Sequence, residues 1–315
     1  FIIFILKQKN MIDKILVLIK KFLLNVFNNH FKSLEHKIKY EILTSNLQDK
    51  AMNSVNSGIS DEKYCENDII ISLTSYASRV QTVHLTIESL LNQTIKPNKI
   101  ILWLNAPYNS DNIPQILKKQ INRGLEVKFA EDYKSYDKLI HSLINHPNDT
   151  IITCDDDVLY PYDFVEKFVQ AHCKDKTSIY FYHGSKMTLT KDNQLMPYKF
   201  WDENVCSGED SVFHFPFGNC GILYPPKSLN KEVLNTNAFV ELAPFADDIW
   251  FRAMSLLNNT PCKKIAQDSH PFDKMIAISS AQNVTLWQIN LSKNDEQIKN
   301  VFSKYNIYQK LNIKP

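Results

Sequence analysis

The chain has 315 residues, 44% of them hydrophobic and 22% charged, which allows one large or two intimate globular domains and excludes a disordered or fibrous protein. Lys and Arg number 36 against 34 Asp and Glu, so no broad electrostatic grip on nucleic acid is expected, although a small anionic ligand is compatible with this balance. The six cysteines, Cys65, Cys154, Cys173, Cys206, Cys220 and Cys262, contain no CxxC pair, and Cys154 sits in an apolar run like a small buried hydrophobe, so a reducing, cytoplasmic compartment is expected.

The N-terminal stretch is apolar and basic together. Met11 is its first methionine and a candidate start. Lys7, Lys9, Asp13, Lys14, Lys20 and Lys21 interrupt it, so no uncharged run reaches the roughly 20 residues of a membrane-crossing helix. Ile12, Ile15, Leu16, Ile19, Phe22, Leu23, Val26 and Phe27 share one helical face opposite the lysines. That pattern suits peripheral contact with the inner face of an anionic membrane, docking on a partner, or packing on the chain's own domain. Gln48 to Asn67 is polar without a sustained period and reads as a linker, which divides the chain into residues 1–67 and a domain over 68–315.

From Asp68 the pattern alternates. "DIIISLTSY" is a buried strand, "RVQTVHLTIESLLNQ" a helix, "KIILWLN" a strand, "IPQILKKQINR" a helix, "LEVKFAED" a strand, "SYDKLIHSLINH" a helix and "DTIITCD" a fourth strand. Such βαβα units predict an α/β fold with a mainly parallel sheet covered by helices, whose ligands bind at the carboxyl ends of the strands. Residues 68–160 form the first half of this domain and 161–315 the second. In the second half "YDFVEKFVQAHC" reads as a helix, "SIYFYHG" as a strand, "DDIWFRAMSLLNN" as a helix and "KKIA" as a short strand. A terminal helix is expected from about Asn294, with Ser292 and Asp295 as a capping box.

The fourth strand runs into Asp155, Asp156 and Asp157. If the chain stays extended there, Asp155 and Asp157 share a face and Asp156 points away. Two such carboxylates suit Mn²⁺ or Mg²⁺, hard cations that keep positions open for diphosphate oxygens. An acidic loop capping the helix near Pro161 would carry the same three residues.

The stretches "ISLTSYASRV", "ESLLNQTIKPNKIILWL", "AEDYKSYDKL", "CDDDVLYP" and "APFADDIWF", in this order over roughly Asp68 to Phe302, resemble GT-A fold glycosyltransferases of the family 2 type found in bacterial surface-polysaccharide synthesis. The resemblance implies a Rossmann-like nucleotide-sugar transferase. It would move a sugar from a nucleotide-sugar donor, a UDP-sugar foremost, to a hydroxyl of a glycan or lipid-linked acceptor. It implies a divalent metal on Asp155 and Asp157, with His270 as a candidate third ligand. Thr74, Ser75, Tyr76 and Arg79 would line the nucleotide pocket with Asp156, Asp132 would lie near the base or ribose, and Lys138 near the donor phosphates. In "ADDIW", where the family usually has Glu-Asp, Asp248 would be the base of an inverting transfer and Asp247 would orient the acceptor. Either could instead be only the N-cap of the helix that follows. "HFPFGNCGILYPP" suits an acceptor wall, with Gly218 and Gly221 allowing close backbone approach and Phe217 and Tyr224 offering apolar faces.

Two other functions fit parts of the pattern. A nucleotidyltransferase would need a Gly-rich loop for a triphosphate, and "LTSYASRV" contains no glycine. A noncatalytic glycan-binding protein would need neither carboxylate pair.

Overall fold

A computed structural model describes residues 2–265, 274–278 and 287–315. The chain forms two units, Phe1–Asp49 and Lys50–Pro315. The first is the body of a helix, α1 (Ile2–Asn53), in which Leu24, Phe27, Phe31, Leu34 and Ile38 recur at three- and four-residue spacing and are exposed. Among the described residues no helix is long and apolar enough to cross a membrane.

In the second unit the elements follow as β1 (Ile69–Thr74), α2 (Val83–Leu91), β2 (Lys99–Leu104), α3 (Gln115–Ile121), β3 (Leu125–Phe129), α4 (Asp137–Asn145), β4 (Thr150–Cys154), β5 (Val158–Leu159) and α5 (Phe164–Lys174). Then come β6 (Ile179–Phe181), β7 (Gly184–Lys186), β8 (His214–Pro216), β9 (Ile222–Tyr224), α6 (Thr236–Leu242), α7 (Asp247–Leu257), β10 (Cys262–Lys264), β11 (Ile276–Ala277), α8 (Trp287–Lys304) and α9 (Ile307–Lys310).

Seven strands make one sheet in the order β10-β6-β9-β4-β1-β2-β3. All neighbours run parallel except β9, which lies antiparallel between β4 and β6. The sheet therefore crosses the division at residue 160, and both halves of the domain share it. Successive residues of a strand face opposite layers. Ile69, Ile71, Leu73, Ile152 and Cys154 pack with Val83, Ile87 and Leu90 of α2 and Phe164 and Phe168 of α5, while Ile151 and Ile222 join Leu139 of α4 and Trp250 of α7 on the other side. On that second side Trp103 donates to Ser72 and Ser142 at 3.1 and 2.9 Å, so this small polar cluster is satisfied within the core.

Two boundaries differ from the sequence expectation. The final helix begins at Trp287, so Ser292 lies within it, and Asp295 accepts from the Tyr198 amide at 2.7 Å instead of closing a capping box. The polar stretch 48–67 is no free linker: α1 continues to Asn53, and the residues beyond are strapped to the sheet domain. Gly58 N–H donates to Arg123 O, Ser60 N–H to Pro97 O, and Asn98 Nδ2 to the carbonyls of Ser60 and Glu62. On the strap's side every one of these bonds is made by a backbone group, so the strap's side-chain pattern does not reveal them. The cysteines are not all thiols either. Cys65 of the strap is bonded to Cys173 of α5, the kind of link that an oxidising compartment preserves and a reducing one does not, while Cys154, Cys206, Cys220 and Cys262 are free.

Removing residues 1–49 should leave the melting temperature of the sheet domain within a few degrees of the full chain. Removing 1–67 strips the strap and its cross-link and should lower it by roughly 10 °C or more, given about 2–4 kcal/mol for the cross-link alone. Equal melting curves for the two truncations would show that the strap contributes nothing.

Candidate active site

The three aspartates sit where the sheet places a ligand, just past the carboxyl end of β4, but they are not extended. β4 stops at Cys154, and Asp155 to Asp157 turn directly into β5. The period-two expectation therefore fails, and the side chains divide differently. Asp155 turns to Lys138, Nζ to Oδ1 2.9 Å. Asp156 is buried, accepting from Ser75 Oγ at 2.5 Å and Arg79 Nη1 at 2.7 Å, and its carbonyl accepts from Thr86 at 2.9 Å. Asp157 meets the other arm of the same guanidinium at 3.1 Å. Asp156 is thus the residue that fastens the turn to the loop after β1. Its burial raises its pKa, with Arg79 and Ser75 opposing. Burial alone would lower the pKa of Arg79, but the carboxylates of Asp156 and Asp157 outweigh it and the guanidinium holds its proton more firmly than usual.

Lys138, on the first turn of α4, is buried, and its ammonium joins two parts of the chain far apart in sequence. It lies 2.9 Å from Asp155 and 3.1 Å from Asp247 Oδ2. The second contact lies outside hydrogen-bond geometry, so Asp247 Oδ2 is held there by charge rather than by a directed bond. Burial disfavours the ammonium, yet Asp155, Asp247 and Asp248 together raise its pKa well above the usual value. Three carboxylates share this one cation, and the charge balance falls on Asp248. Crowded by its surroundings and by Asp247, Asp248 has its pKa pushed up to about 7. Both of its oxygens accept from the Gly218 amide, at 3.1 and 3.2 Å. A methyl group at Gly218 would lie 2.7 Å from Lys138 Nζ and 3.0 Å from Asp248 Oδ1, so the backbone approaches Asp248 this closely only because residue 218 has no side chain. Neither Asp247 nor Asp248 caps α7: the N-cap is Ala246, without a side-chain bond.

The structure gathers Ser75, Tyr76, Arg79, Lys138, Asp155, Asp156, Asp157, Asp247 and Asp248 around one edge of the sheet. Tyr76 is exposed there, with the Arg79 guanidinium 5.4 Å from its ring centroid. Two expected residues are turned elsewhere. Thr74 donates to Trp103 O at 3.1 Å, within the sheet, and exposed Asp132 accepts from the Lys134 amide at 2.8 Å in a local turn. His270 lies outside the described residues. The sequence pattern missed the support beneath Lys138, where Asp137 accepts from the Tyr133 amide and pairs with His141 at 3.0 Å. Their spacing of four on α4 was the available signal. Tyr224 is buried in the aromatic core, Phe217 is half-buried against it, and Gly221 adopts φ +90° beside the Phe164 ring, where a Cβ would come within 2.6 Å.

Among the described residues no three His, Cys, Asp or Glu side chains are gathered as a metal cage. Asp155 and Asp157 offer hard oxygens at the rim, which fits a Mg²⁺- or Mn²⁺-type cation that draws its other ligands from water and a diphosphate and does not fit a cage made by protein alone.

Residues 70–224 match the family profile described as glycosyl transferase family 2. The chain carries a family 2 glycosyltransferase domain over this segment, within a mainly parallel sheet flanked by helices. A comparison with curated proteins finds no match. Solved structures similar to it include S. aureus TarS 1-349, at 12% identity over 75% of this chain and 72% of that one, TM-score 0.46. A Pyrobaculum calidifontis mannosyltransferase in complex with GDP-Man and Mn²⁺ is 8% identical over 85% and 76%, TM-score 0.47. The T. maritima inositol-1-phosphate CTP transferase is 13% identical over 75% and 96%, TM-score 0.39.

The titration of Asp248 has a sign that can be checked. Its folded carboxyl keeps a proton up to about 7, whereas in the unfolded chain it is lost near the ordinary value of about 4. The native state therefore binds the extra proton between those limits, and stability falls as pH rises through that window. Asp248→Asn carries no charge to bury, so its melting temperature relative to the parent should be higher at about pH 8 than at about pH 4. A difference independent of pH would mean that Asp248 ionises normally.

Proposed function

We propose that the enzyme is an inverting, metal-dependent transferase. It takes a nucleotide diphosphate sugar, a UDP-sugar foremost, at the Arg79–Asp157 side, and glycosylates a hydroxyl of a glycan or lipid-linked acceptor at the Gly218–Asp248 side, in surface-polysaccharide synthesis. The observation that carries the reading is the buried Lys138 ammonium between Asp155 and Asp247, which puts a phosphate-facing carboxylate and a carboxylate pair with a near-neutral base on one cation. A nucleotidyltransferase is disfavoured because it needs no base of this kind and the loop after β1 has no glycine for a triphosphate.

The residues would act as follows. Tyr76 offers its exposed ring to the nucleotide base. Arg79 and Lys138 supply positive charge toward the diphosphate, and Asp155 and Asp157 would hold the divalent cation, which neutralises charge on the departing nucleoside diphosphate. Asp248, ionised above about pH 7, removes the acceptor hydroxyl proton as that oxygen attacks the anomeric carbon. The anomeric C–O bond to the diphosphate breaks, its electron pair leaves with the phosphate oxygen, and the proton ends on the Asp248 carboxylate. Asp247, held by charge against Lys138, orients the acceptor. The apolar stripe of α1 lies on the membrane surface.

Calorimetric titration should show nucleoside diphosphate binding that depends on Mn²⁺ or Mg²⁺, with UDP and GDP compared, and Asp157→Ala should remove most of the metal dependence. Equal affinity with and without metal overturns the metal assignment. Asp248→Asn should keep metal-dependent binding while turnover drops by roughly 10² to 10⁴. Its residual rate should lose the parent's rise with pH around neutrality, and full turnover would remove Asp248 as the base. Flotation with anionic vesicles, with and without residues 1–49, reads the membrane contact. A thiol count on protein isolated without reductant reads the compartment through Cys65 and Cys173.

A further inference from the structure

Away from the three aspartates, the end of α1, the strap and the segments that follow α2 and α3 line an open pocket of about 260 Å³. Its wall includes Lys50, Ser57, Asn92, Lys96 and Arg123, three cations and no carboxylate. The Glu88 carboxylate is fully buried behind the wall and bonded to Arg123 at 2.9 and 2.7 Å. Lys50 and Lys96 have only neutral partners. Lys50 Nζ donates to Asn92 Oδ1 at 3.0 Å and stands 5.7 Å from the Tyr162 ring centroid, and Lys96 Nζ donates to Ser57 O at 2.6 Å. Among the described residues neither lysine has an ion pair.

Each ammonium has three donors and uses one in these bonds, so each keeps two. Two half-buried lysines lining one pocket repel each other, and the Arg123–Glu88 pair leaves that excess uncompensated. An anion between them relieves the repulsion and gains charge-assisted hydrogen bonds from both sides. The pocket is larger than an inorganic ion needs and suits a phosphate with a small polar substituent.

We propose that this pocket is a second, noncatalytic binding site for a phosphate monoester or diester group, held by Lys50 and Lys96 on the Arg123 wall. The group can belong to a free metabolite or to a phospholipid head.

The test uses the full chain and two double variants, Lys50→Gln/Lys96→Gln, which keeps length and polarity, and Lys50→Ala/Lys96→Ala. Arg123 is left in place because its bond to Glu88 is structural. Calorimetry with inorganic phosphate and with glycerol 3-phosphate should give binding to the parent that weakens at least tenfold in both variants, with sugar transfer to a water-soluble acceptor and the melting temperature unchanged. Vesicles of phosphatidylglycerol in phosphatidylcholine, against phosphatidylcholine alone, separate the sources. Vesicle binding at least tenfold weaker in the variants, over what α1 retains, with weak glycerol 3-phosphate binding in the parent assigns a lipid head, and the converse assigns a metabolite. No binding of either probe to the parent at millimolar concentration, or equal binding by parent and Gln variant, overturns the proposal. Because the readout is binding away from the reaction, failure here leaves the assigned catalytic residues untouched, and their failure leaves this site.

Discussion

Everything gathered at the carboxyl end of β4 depends on one buried cation. Lys138 stands on a helix packed under the sheet, and its ammonium is the shared counter-charge for Asp155 after the fourth strand and Asp247 at the start of α7. Leaving such carboxylates without their partner costs on the order of 3–5 kcal/mol. The loop from the first half of the domain and the helix from the second are therefore held in register by charge as well as by packing. Burial first, and then the charge of Asp247 beside it, let Asp248 keep its proton to near-neutral pH, with Lys138 opposing.

A second cation, Arg79, answers why three aspartates occur in a row. Its guanidinium holds Asp156 and Asp157 with separate arms, and Ser75 and Thr86 complete the attachment of Asp156. The middle aspartate is an anchor that turns the chain, and the turn is what points its two neighbours toward different partners. A pair of carboxylates without that anchor would have to hold its bend against mutual repulsion.

The alternating strands and helices from Asp68 to Cys154 were legible because period-two and period-3.6 burial leave their mark on side chains, and the strand-end location of Asp155 to Asp157 followed from that alone. The direction of each aspartate was not, since it depends on where β4 stops and on Arg79, 76 residues upstream of Asp155. Lys138 was singled out through family resemblance, but its burial and its bridge to Asp247 needed the fold. The strap escaped notice for another reason: Gly58 and Ser60 bind through backbone amides, and Cys65 finds Cys173 across 108 residues with no spacing rule to announce it. The early start of α8 was hidden by a plausible cap, Ser292 with Asp295, whose carboxylate serves Tyr198 instead.

The antiparallel strand β9 also sets an order of events during synthesis. As the chain leaves the ribosome, β1 to β4 can assemble once Cys154 has emerged, but one edge of β4 has no neighbour until Ile222 to Tyr224 arrive, and β6 and β10 can join only through them. During that interval the open edge of β4, with Ile151 and Ile152 on its two faces, is a template for pairing with another nascent chain. Chaperone demand during translation should therefore concentrate on the stretch between the fourth strand and residue 224, and a ribosome pause placed there would expose the enzyme to aggregation far more than a pause after it.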